Sequence, residues 1–156
     1  MPKLMTLVIV QRGGEVLLGM KKRGFGEGKW NGFGGKLAAG ETIADAARRE
    51  VREEAGIEVL DLTPCGLLTF HSVAPEPIEV HVFRSTMFSG EPMESEEMLP
   101  QWFAADALPF DTMWPDDRFW FPHFFAGKNF RGTFTFNAQG AITAQEFAVG
   151  EVALPM

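Results

Sequence analysis

Residues 41–56, which read ETIADAARREVREEAG, are the part of the chain that most restricts its fold. Thr42 and Asp45 make a start similar to a capping box, and Gly56 is the residue type that commonly ends helices in the left-handed conformation. The segment therefore predicts an α-helix that stops at Gly56. Apolar residues recur along it at helical spacing, at Ile43, Ala46, Ala47 and Val51. Because these residues share one side, we expect the helix to pack against a sheet.

Three glutamates, Glu50, Glu53 and Glu54, are spaced i, i+3 and i+4 and are predicted to project onto this apolar, inward side. Two interpretations stay open. In one, the glutamates lie at a frayed helix end and lean into water, and Glu53 pairs with Arg49. In the other, they hold a divalent cation that offsets their mutual repulsion and the cost of their burial. Carboxylate oxygens suit Mg²⁺ or Mn²⁺ better than Zn²⁺, for which the sequence offers no Cys/His set.

The rest of the chain predicts further strands and a second helix. TLVIVQRGGEVLLGMKK predicts two strands joined by a tight turn, and the glycine-rich residues 24–35 predict a loop and short strand that a ligand can approach closely. A second helix is expected in WPDDRFWFPHFF, and a terminal hairpin in RGTFTFN and AITAQEFAV. The order β-β-loop-α-β-β-α-β-β predicts the α/β class, with a mixed β-sheet covered by helices, and a single domain over residues 1–156.

Charge and composition limit the partners. The net charge is −7, with 21 acidic against 14 basic residues, whereas proteins that grip a polynucleotide usually carry a basic surplus. We therefore expect no nucleic acid polymer as a partner, but a small phosphorylated ligand bound through a metal ion is compatible. No apolar run approaches the roughly 18 residues of a membrane span, and Cys65 is the only cysteine. We expect a cytoplasmic monomer with no membrane partner.

Residues 35–57 resemble the Nudix box, G-x5-E-x7-R-E-U-x-E-E-x-G-U, in which U is an aliphatic residue. Every specified position agrees: Gly35, Glu41, Arg49, Glu50, Val51, Glu53, Glu54, Gly56 and Ile57. The resemblance implies the Nudix fold, an α/β/α sandwich, and metal-dependent hydrolysis of a nucleoside diphosphate linked to another group. It implies that Mg²⁺ is bound by the carbonyl of Gly35 and by Glu50, Glu53 and Glu54. Arg49 is expected to hold one of these carboxylates, and Glu41 to support the loop.

Other stretches resemble the animal-type MutT homologues, the branch of the Nudix family that hydrolyses oxidised purine nucleoside triphosphates. They are LLGMKKRGFGEGKWNGFGGK, EVHVF, MWPDD and FWFP, and the likeness extends over residues 7–136. It implies hydrolysis of 8-oxo-dGTP and 2-hydroxy-dATP to the monophosphate and pyrophosphate, which cleanses the nucleotide pool. The alternatives are another nucleotide substrate, such as O6-methyl-dGTP or ADP-ribose, and a nucleotide-binding module without catalysis.

Asp116 and Asp117 lie between Trp114 and Trp120 in MWPDDRFWFP. One interpretation is helix capping, because Pro115 and acidic residues favour the first turn of a helix. In the other, two adjacent carboxylates beside aromatic rings share a proton near neutral pH and offer both a donor and an acceptor to a purine edge. The resemblance supports the second interpretation, since the matching acids in the family contact the base.

The resemblance also implies the rest of the nucleotide site. Asn31 matches a further base-contacting position. The pocket is expected to be lined by Thr6, Phe25, Phe70, Trp114 and Trp120, although Phe25 and Phe70 are equally suited to the core. Ile78 stands where the family usually has a methionine, and it stiffens that wall.

Two charged positions outside the box have open alternatives. Glu97, in MESEEM, matches a loop acid that binds metal or orients water, but a solvated acidic loop is an equal alternative. Lys21 begins the basic run KKR and is predicted to steer the triphosphate, whereas such a run is commonly a solubilising surface feature.

Overall fold

The computed structural model describes residues 2–152 and 154 of the protein. The helices are α1 (Ile43–Ala55) and α2 (Asp117–Phe125), and a 3-10 turn spans Phe110–Thr112. The strands are β1 (Lys3–Arg12), β2 (Glu15–Lys21), β3 (Trp30–Asn31), β4 (Glu58–Val59), β5 (Thr63–His71), β6 (Ile78–Ser85), β7 (Phe88–Ser89), β8 (Met98–Ala104), β9 (Asn129–Phe136) and β10 (Ile142–Gly150). The predicted single domain over 1–156 includes Met1, Ala153, Pro155 and Met156, which lie outside the described residues.

The sheet is mixed, as the order of elements predicts. Its strands follow the order β10-β9-β5-β6-β1-β2-β3, and β8 also pairs with β2. The β1–β6 and β5–β9 pairs are parallel, and the other pairs of this sheet are antiparallel. The predicted terminal hairpin is confirmed as β9 and β10, while the short strands β4 and β7 form a separate small ladder that the sequence did not predict.

Two hydrophobic cores lie on opposite faces of the sheet. On β1, Val8 and Val10 belong to the core that contains Val51 of α1, whereas Leu7 and Ile9 belong to the core that contains Trp120 of α2. This alternation follows from the two-residue period of a strand, which sends successive side chains to opposite faces. The predicted α/β/α sandwich is therefore confirmed.

Helix α1 begins and ends where its sequence predicts. The Thr42 side chain accepts a hydrogen bond from Asp45 N (3.1 Å), which satisfies a free amide of the first turn. Gly56 adopts φ +73° and donates its N–H to Arg52 O (3.0 Å), a left-handed cap that suits glycine. No helix in the described part of the chain is long and apolar enough to cross a membrane.

Candidate active site

The glycine-rich loop meets the C-terminal end of α1 at Gly34 and Gly35. Gly34 N donates to Glu54 Oε1 (2.9 Å), and Gly35 O accepts from Thr6 N (2.9 Å). A Cβ at Gly34 would lie 1.8 Å from Thr6 O, and one at Gly35 would lie 2.7 Å from the carboxyl carbon of Glu50. Both positions therefore need glycine because backbone and carboxylate approach too closely for a side chain.

Glu54 and Glu50 turn toward this loop and away from water. Glu54 is buried, and burial, with a further contribution from Glu50, raises its pKa to about 8 even though Gly34 N donates to it. Glu50 is largely covered, and its desolvation raises its pKa while its hydrogen bond from Arg49 opposes the rise. The interpretation of a frayed helix end leaning into water is wrong for both residues.

The prediction that Glu53 lies on the inward side of α1 is wrong. Its side chain is 57% exposed and accepts from Arg49 Nη1 (3.2 Å), the pairing that the alternative interpretation predicts. Consecutive helix residues differ by about 100°, so Glu53 and Glu54 point in clearly different directions. The ion pair with Arg49 keeps the Glu53 carboxylate on the exposed surface of α1.

Arg49 joins the three glutamates that surround it. Its guanidinium donates to Glu41 Oε2 (2.6 Å) and Oε1 (2.9 Å), to Glu50 Oε1 (3.0 Å), and to Glu53. Glu41 in turn accepts from Ala38 N (2.8 Å), as expected of a residue that supports the loop. The hydrogen bond from Arg49 lowers the pKa of Glu41 to about 2, and these acids raise the pKa of Arg49.

The donors at this loop fit a hard divalent cation. The carboxylates of Glu50 and Glu54 both lie against the glycine-rich loop, and the missing Cβ of Gly35 is what admits the Glu50 carboxylate. The carbonyl oxygen of Gly35 accepts from Thr6 N on the adjacent strand β1. Oxygen ligands of this kind suit Mg²⁺ or Mn²⁺. Among the described residues no three His, Cys, Asp or Glu side chains are already gathered as ligands. Glu53 would have to turn from Arg49 to join the set.

A cavity of about 490 Å³ opens beside this loop. It brings together ten of the residues that the sequence singled out: Thr6, Lys21, Phe25, Asn31, Glu54, Phe70, Ile78, Trp114, Asp116 and Asp117. The wall between its polar residues is mostly apolar and includes Leu68, Ile78 and Val80. Such a cavity, apolar with a few polar groups, suits a flat organic ligand that carries hydrogen-bonding edges.

Asp116 and Asp117 lie at the start of α2 and are both buried. Asp116 Oδ2 accepts from Trp120 Nε1 (3.0 Å), and Asp117 Oδ2 accepts from Trp114 N (3.2 Å). Burial is the main cause that raises the pKa of both carboxyls, and the charge of Asp116 raises the pKa of Asp117 further. Asp116 occupies the N-cap position but makes no capping hydrogen bond with its side chain, so capping does not explain it.

Three aromatic predictions have different outcomes. Trp120 is fully buried, stacks on Phe130 (5.3 Å between centroids) and is not among the cavity-lining residues, so its predicted place in the pocket wall is wrong. Its indole instead donates a hydrogen bond to Asp116 Oδ2 from within the core on the α2 side of the sheet. Phe25 is 85% exposed and stacks on Trp114 (5.1 Å), so the core alternative is wrong for Phe25. Phe70 lines the cavity and also packs on the α2-side core.

Glu97 and Lys21 contact each other. Lys21 Nζ lies 3.1 Å from Glu97 Oε2, and Arg23 Nη2 lies 2.9 Å from Glu97 Oε1. These two cations lower the pKa of Glu97. Lys22 pairs with Glu94, so the whole basic run binds the acidic loop rather than standing alone on the surface. Only Lys21 of the three lines the cavity.

The structure adds cavity residues that sequence reasoning did not find. They include Lys29, whose Nζ lies 5.1 Å from the Trp114 ring centroid, Ser72 and Val73 after β5, and Phe136, Asn137, Ala138 and Gly140 at the end of β9. The turn after β9 reaches the cavity because β9 runs parallel to β5. No local pattern reveals that long-range pairing.

A mixed sheet between two helices, with carboxylates of α1 against a glycine-rich loop beside a mostly apolar cavity, is the architecture of the Nudix class. Residues 2–124 match the family described as the NUDIX domain. The chain is 53% identical over 141 residues to the oxidized purine nucleoside triphosphate hydrolase of Danio rerio, and 52% identical over 141 residues to that of Mus musculus. Each match covers 90% of this chain and 90% of the relative.

A crystal structure of the MutT protein from Bacillus halodurans has the same fold. It matches with a TM-score of 0.82 and 26% sequence identity, over 93% of this chain and 97% of that chain. The chain belongs to the Nudix family, whose members are hydrolases that generally need a divalent metal ion.

Proposed function

We propose that the protein hydrolyses oxidised purine nucleoside triphosphates, such as 8-oxo-dGTP and 2-hydroxy-dATP, to the monophosphate and pyrophosphate. The observation that carries the proposal is one cavity with a buried pair of carboxyls, Asp116 and Asp117, and a further buried carboxylate, Glu54, beside the glycine loop. The names of the two relatives that are about half identical to this chain support the same substrate class.

The aspartate pair is suited to reading a purine edge. Because burial disfavours charge on both carboxyls, the pair retains a proton near neutral pH and offers one O–H donor beside carboxylate acceptors. Asn31 Oδ1 accepts from Gly32 N (2.8 Å), which leaves the amide Nδ2 as a donor for the ligand. Moving the shared proton between the two aspartates lets one pocket accept either an oxidised guanine or an oxidised adenine.

The part of the site formed by the glycine-rich loop and the acids of α1 is suited to the triphosphate. Gly35 O, Glu50, Glu53 and Glu54 would hold Mg²⁺, with Mn²⁺ as a substitute and Glu97 as a further candidate ligand. The bound ion supplies charge neutralisation, an oriented water and a stabilised leaving group. Arg49 keeps the carboxylate of Glu50 in place through its hydrogen bond, and Glu53 would turn away from Arg49 to reach the ion. Lys21, which lines the cavity, contributes positive charge near the phosphates.

Turnover of four nucleotides tests the proposal. With Mg²⁺, we expect efficient hydrolysis of 8-oxo-dGTP and 2-hydroxy-dATP, weaker hydrolysis of O6-methyl-dGTP, and little of ADP-ribose. Chromatography should detect the monophosphate together with pyrophosphate. A clear preference for ADP-ribose would overturn the base-pocket assignment. Nucleotide binding without any turnover would identify a binding module instead.

We infer further that the protein works as a monomer. The apolar residues of its two cores are covered within one chain, which supports this inference. Light scattering coupled to gel filtration should give a mass near the 17.3 kDa of one chain. A mass twice as large would contradict it.

A further inference from the structure

The turn between β9 and β10 forms part of the cavity wall. Asn137, Ala138 and Gly140 line the cavity, next to Phe136 at the end of β9. β9 pairs in parallel with β5, in the register Phe70 to Phe134, so the ends of both strands arrive at the same side of the cavity. The segment after β5 lines the cavity there too, through Ser72 and Val73.

The turn is held rigidly by its own hydrogen bonds. Asn137 Oδ1 accepts from Gln139 N (2.9 Å) and from Ala141 N (3.0 Å). The backbone adds Asn137 N to Ala141 O (2.9 Å) and Gly140 N to Asn137 O (3.0 Å). Gly140 takes φ +80°, which glycine tolerates without strain. A turn fixed in this way presents a defined surface to a ligand.

The cavity residues next to the turn are uncharged and mostly apolar. Phe136 lies 5.7 Å from Phe70 between ring centroids, and Ile78 and Val73 lie on the same cavity. The cations that line the cavity, Lys21 and Lys29, lie on β2 and on the loop before β3 instead. Because the cavity residues on this wall carry no charge, we expect the uncharged nucleoside part of a ligand to lie next to the turn.

This wall also lies outside the residues that match the family model. The NUDIX match ends at residue 124, before β9 begins at Asn129. The carboxylates, the glycine loop and the aspartate pair all lie within residues 2–124, whereas the turn is contributed by the segment that follows. The nucleoside pocket is thus formed mainly by residues within 2–124, and the turn adds one further part of its wall.

We propose that the turn 137–140 determines specificity, as a rigid wall that limits the size of the nucleoside admitted to the cavity. The proposal rests on the proposed function and deepens it. A purine that fits against the wall is accepted, and a nucleoside with an added bulky substituent on that side is rejected by contact with Ala138 and the turn backbone.

Two neighbouring substitutions test the wall. Ala138 and Gln139 are both exposed positions of one turn, but only Ala138 lines the cavity. Ala138→Phe should raise the KM for 8-oxo-dGTP by about tenfold or more, with kcat changed by less than about twofold, because it removes binding space and leaves the reacting groups intact. Gln139→Phe, the matched control, should keep both constants. Equal effects of the two variants, or none from Ala138→Phe, would overturn the proposal.

A third variant tests rigidity. Asn137→Ala removes the acceptor for two backbone N–H groups, so the turn should become more flexible. The kcat/KM for purine triphosphates with a bulky substituent on the base should then rise relative to that for 8-oxo-dGTP. An unchanged ratio in a folded variant would count against a rigid wall. The turnover assay on the wild-type protein tests the proposed function separately from the wall. Calorimetry then measures how tightly Ala138→Phe and Gln139→Phe bind the nucleotide that the wild type binds, and this comparison does not depend on catalysis.

Discussion

At the scale of single residues, Glu54 connects the helix to the loop. Glu54→Gln keeps an oxygen that accepts from Gly34 N but removes the ability of the side chain to ionise. We expect turnover of 8-oxo-dGTP to fall by roughly 10²–10⁴-fold while nucleotide binding stays measurable, because a metal-holding or proton-accepting carboxylate is lost. Pyrophosphate release and calorimetry measure the two quantities. Glu96→Gln, on the exposed acidic loop, is the control, and unchanged turnover in Glu54→Gln would discard the metal-site assignment.

Asp117 is expected to control which oxidised base is preferred. Asp117→Asn keeps the size of the side chain but fixes an amide where a proton is otherwise shared with Asp116. The ratio of kcat/KM between 8-oxo-dGTP and 2-hydroxy-dATP should therefore change, by an amount that competition assays with both nucleotides can measure. An equal loss on both substrates would argue that Asp117 supports the fold rather than reads the base.

The aspartate pair should also make stability fall as the pH rises. The pKa of Asp116 is raised from 3.8 to about 6, and that of Asp117 is raised well above 3.8, so the folded state binds more protons than the unfolded chain across this range. The pair's stabilising contribution is complete below pH 4 and is lost as the pH rises through 6 and above. Asp117→Asn should flatten the decline of Tm between pH 5 and 8, measured by calorimetry at constant ionic strength. A parallel decline in both proteins would contradict this.

At the scale of elements, substitutions where the glycine-rich loop meets α1 are expected to have separate effects on folding and on activity. Gly35→Ala places a methyl group against the Glu50 carboxylate, the movable end of a side chain, so the protein should fold and lose most of its turnover. Gly34→Ala meets the backbone at Thr6 O and should lower the Tm by several degrees or more. Gly14→Ala, which meets open space, is the control. Equal activity in Gly35→Ala and Gly14→Ala would remove Gly35 from the site.

The elements also show which features a sequence can predict. The bounds of α1 follow from local chemistry, since Thr42 and Gly56 act on amides and carbonyls only a few residues away. The sequence leaves the direction of Glu53 open, because a local i,i+4 pair with Arg49 and an inward, metal-holding position both fit it. Trp120 illustrates the same limit: its sequence neighbours indicate the pocket, but the packing of α2 on β9 buries it behind Asp116.

At the scale of the whole molecule, long-range strand pairing determines the part of the cavity wall that sequence patterns do not predict. The parallel β5–β9 pair brings a turn from near the C-terminal end of the chain to a cavity whose chemical groups lie before residue 120. Loop residues at such a distance carry no periodicity that relates them to the site. The family resemblance identifies the acids of the box and the aspartate pair, whereas the wall formed by the turn 137–140 is identified from the sheet topology.

The shared sheet predicts that the two cores unfold together. Trp102 packs on the core of α1 and Trp120 lies in the core of α2, while adjacent residues of β1 contribute to both. Loss of either core exposes one face of the same strands, so we expect the chain to unfold as a single domain. Variants that retain only Trp102 or only Trp120, with the other tryptophans changed to phenylalanine, should each show a urea midpoint by fluorescence that coincides with its own midpoint by circular dichroism. Two separated midpoints in either variant would divide the chain into independent units.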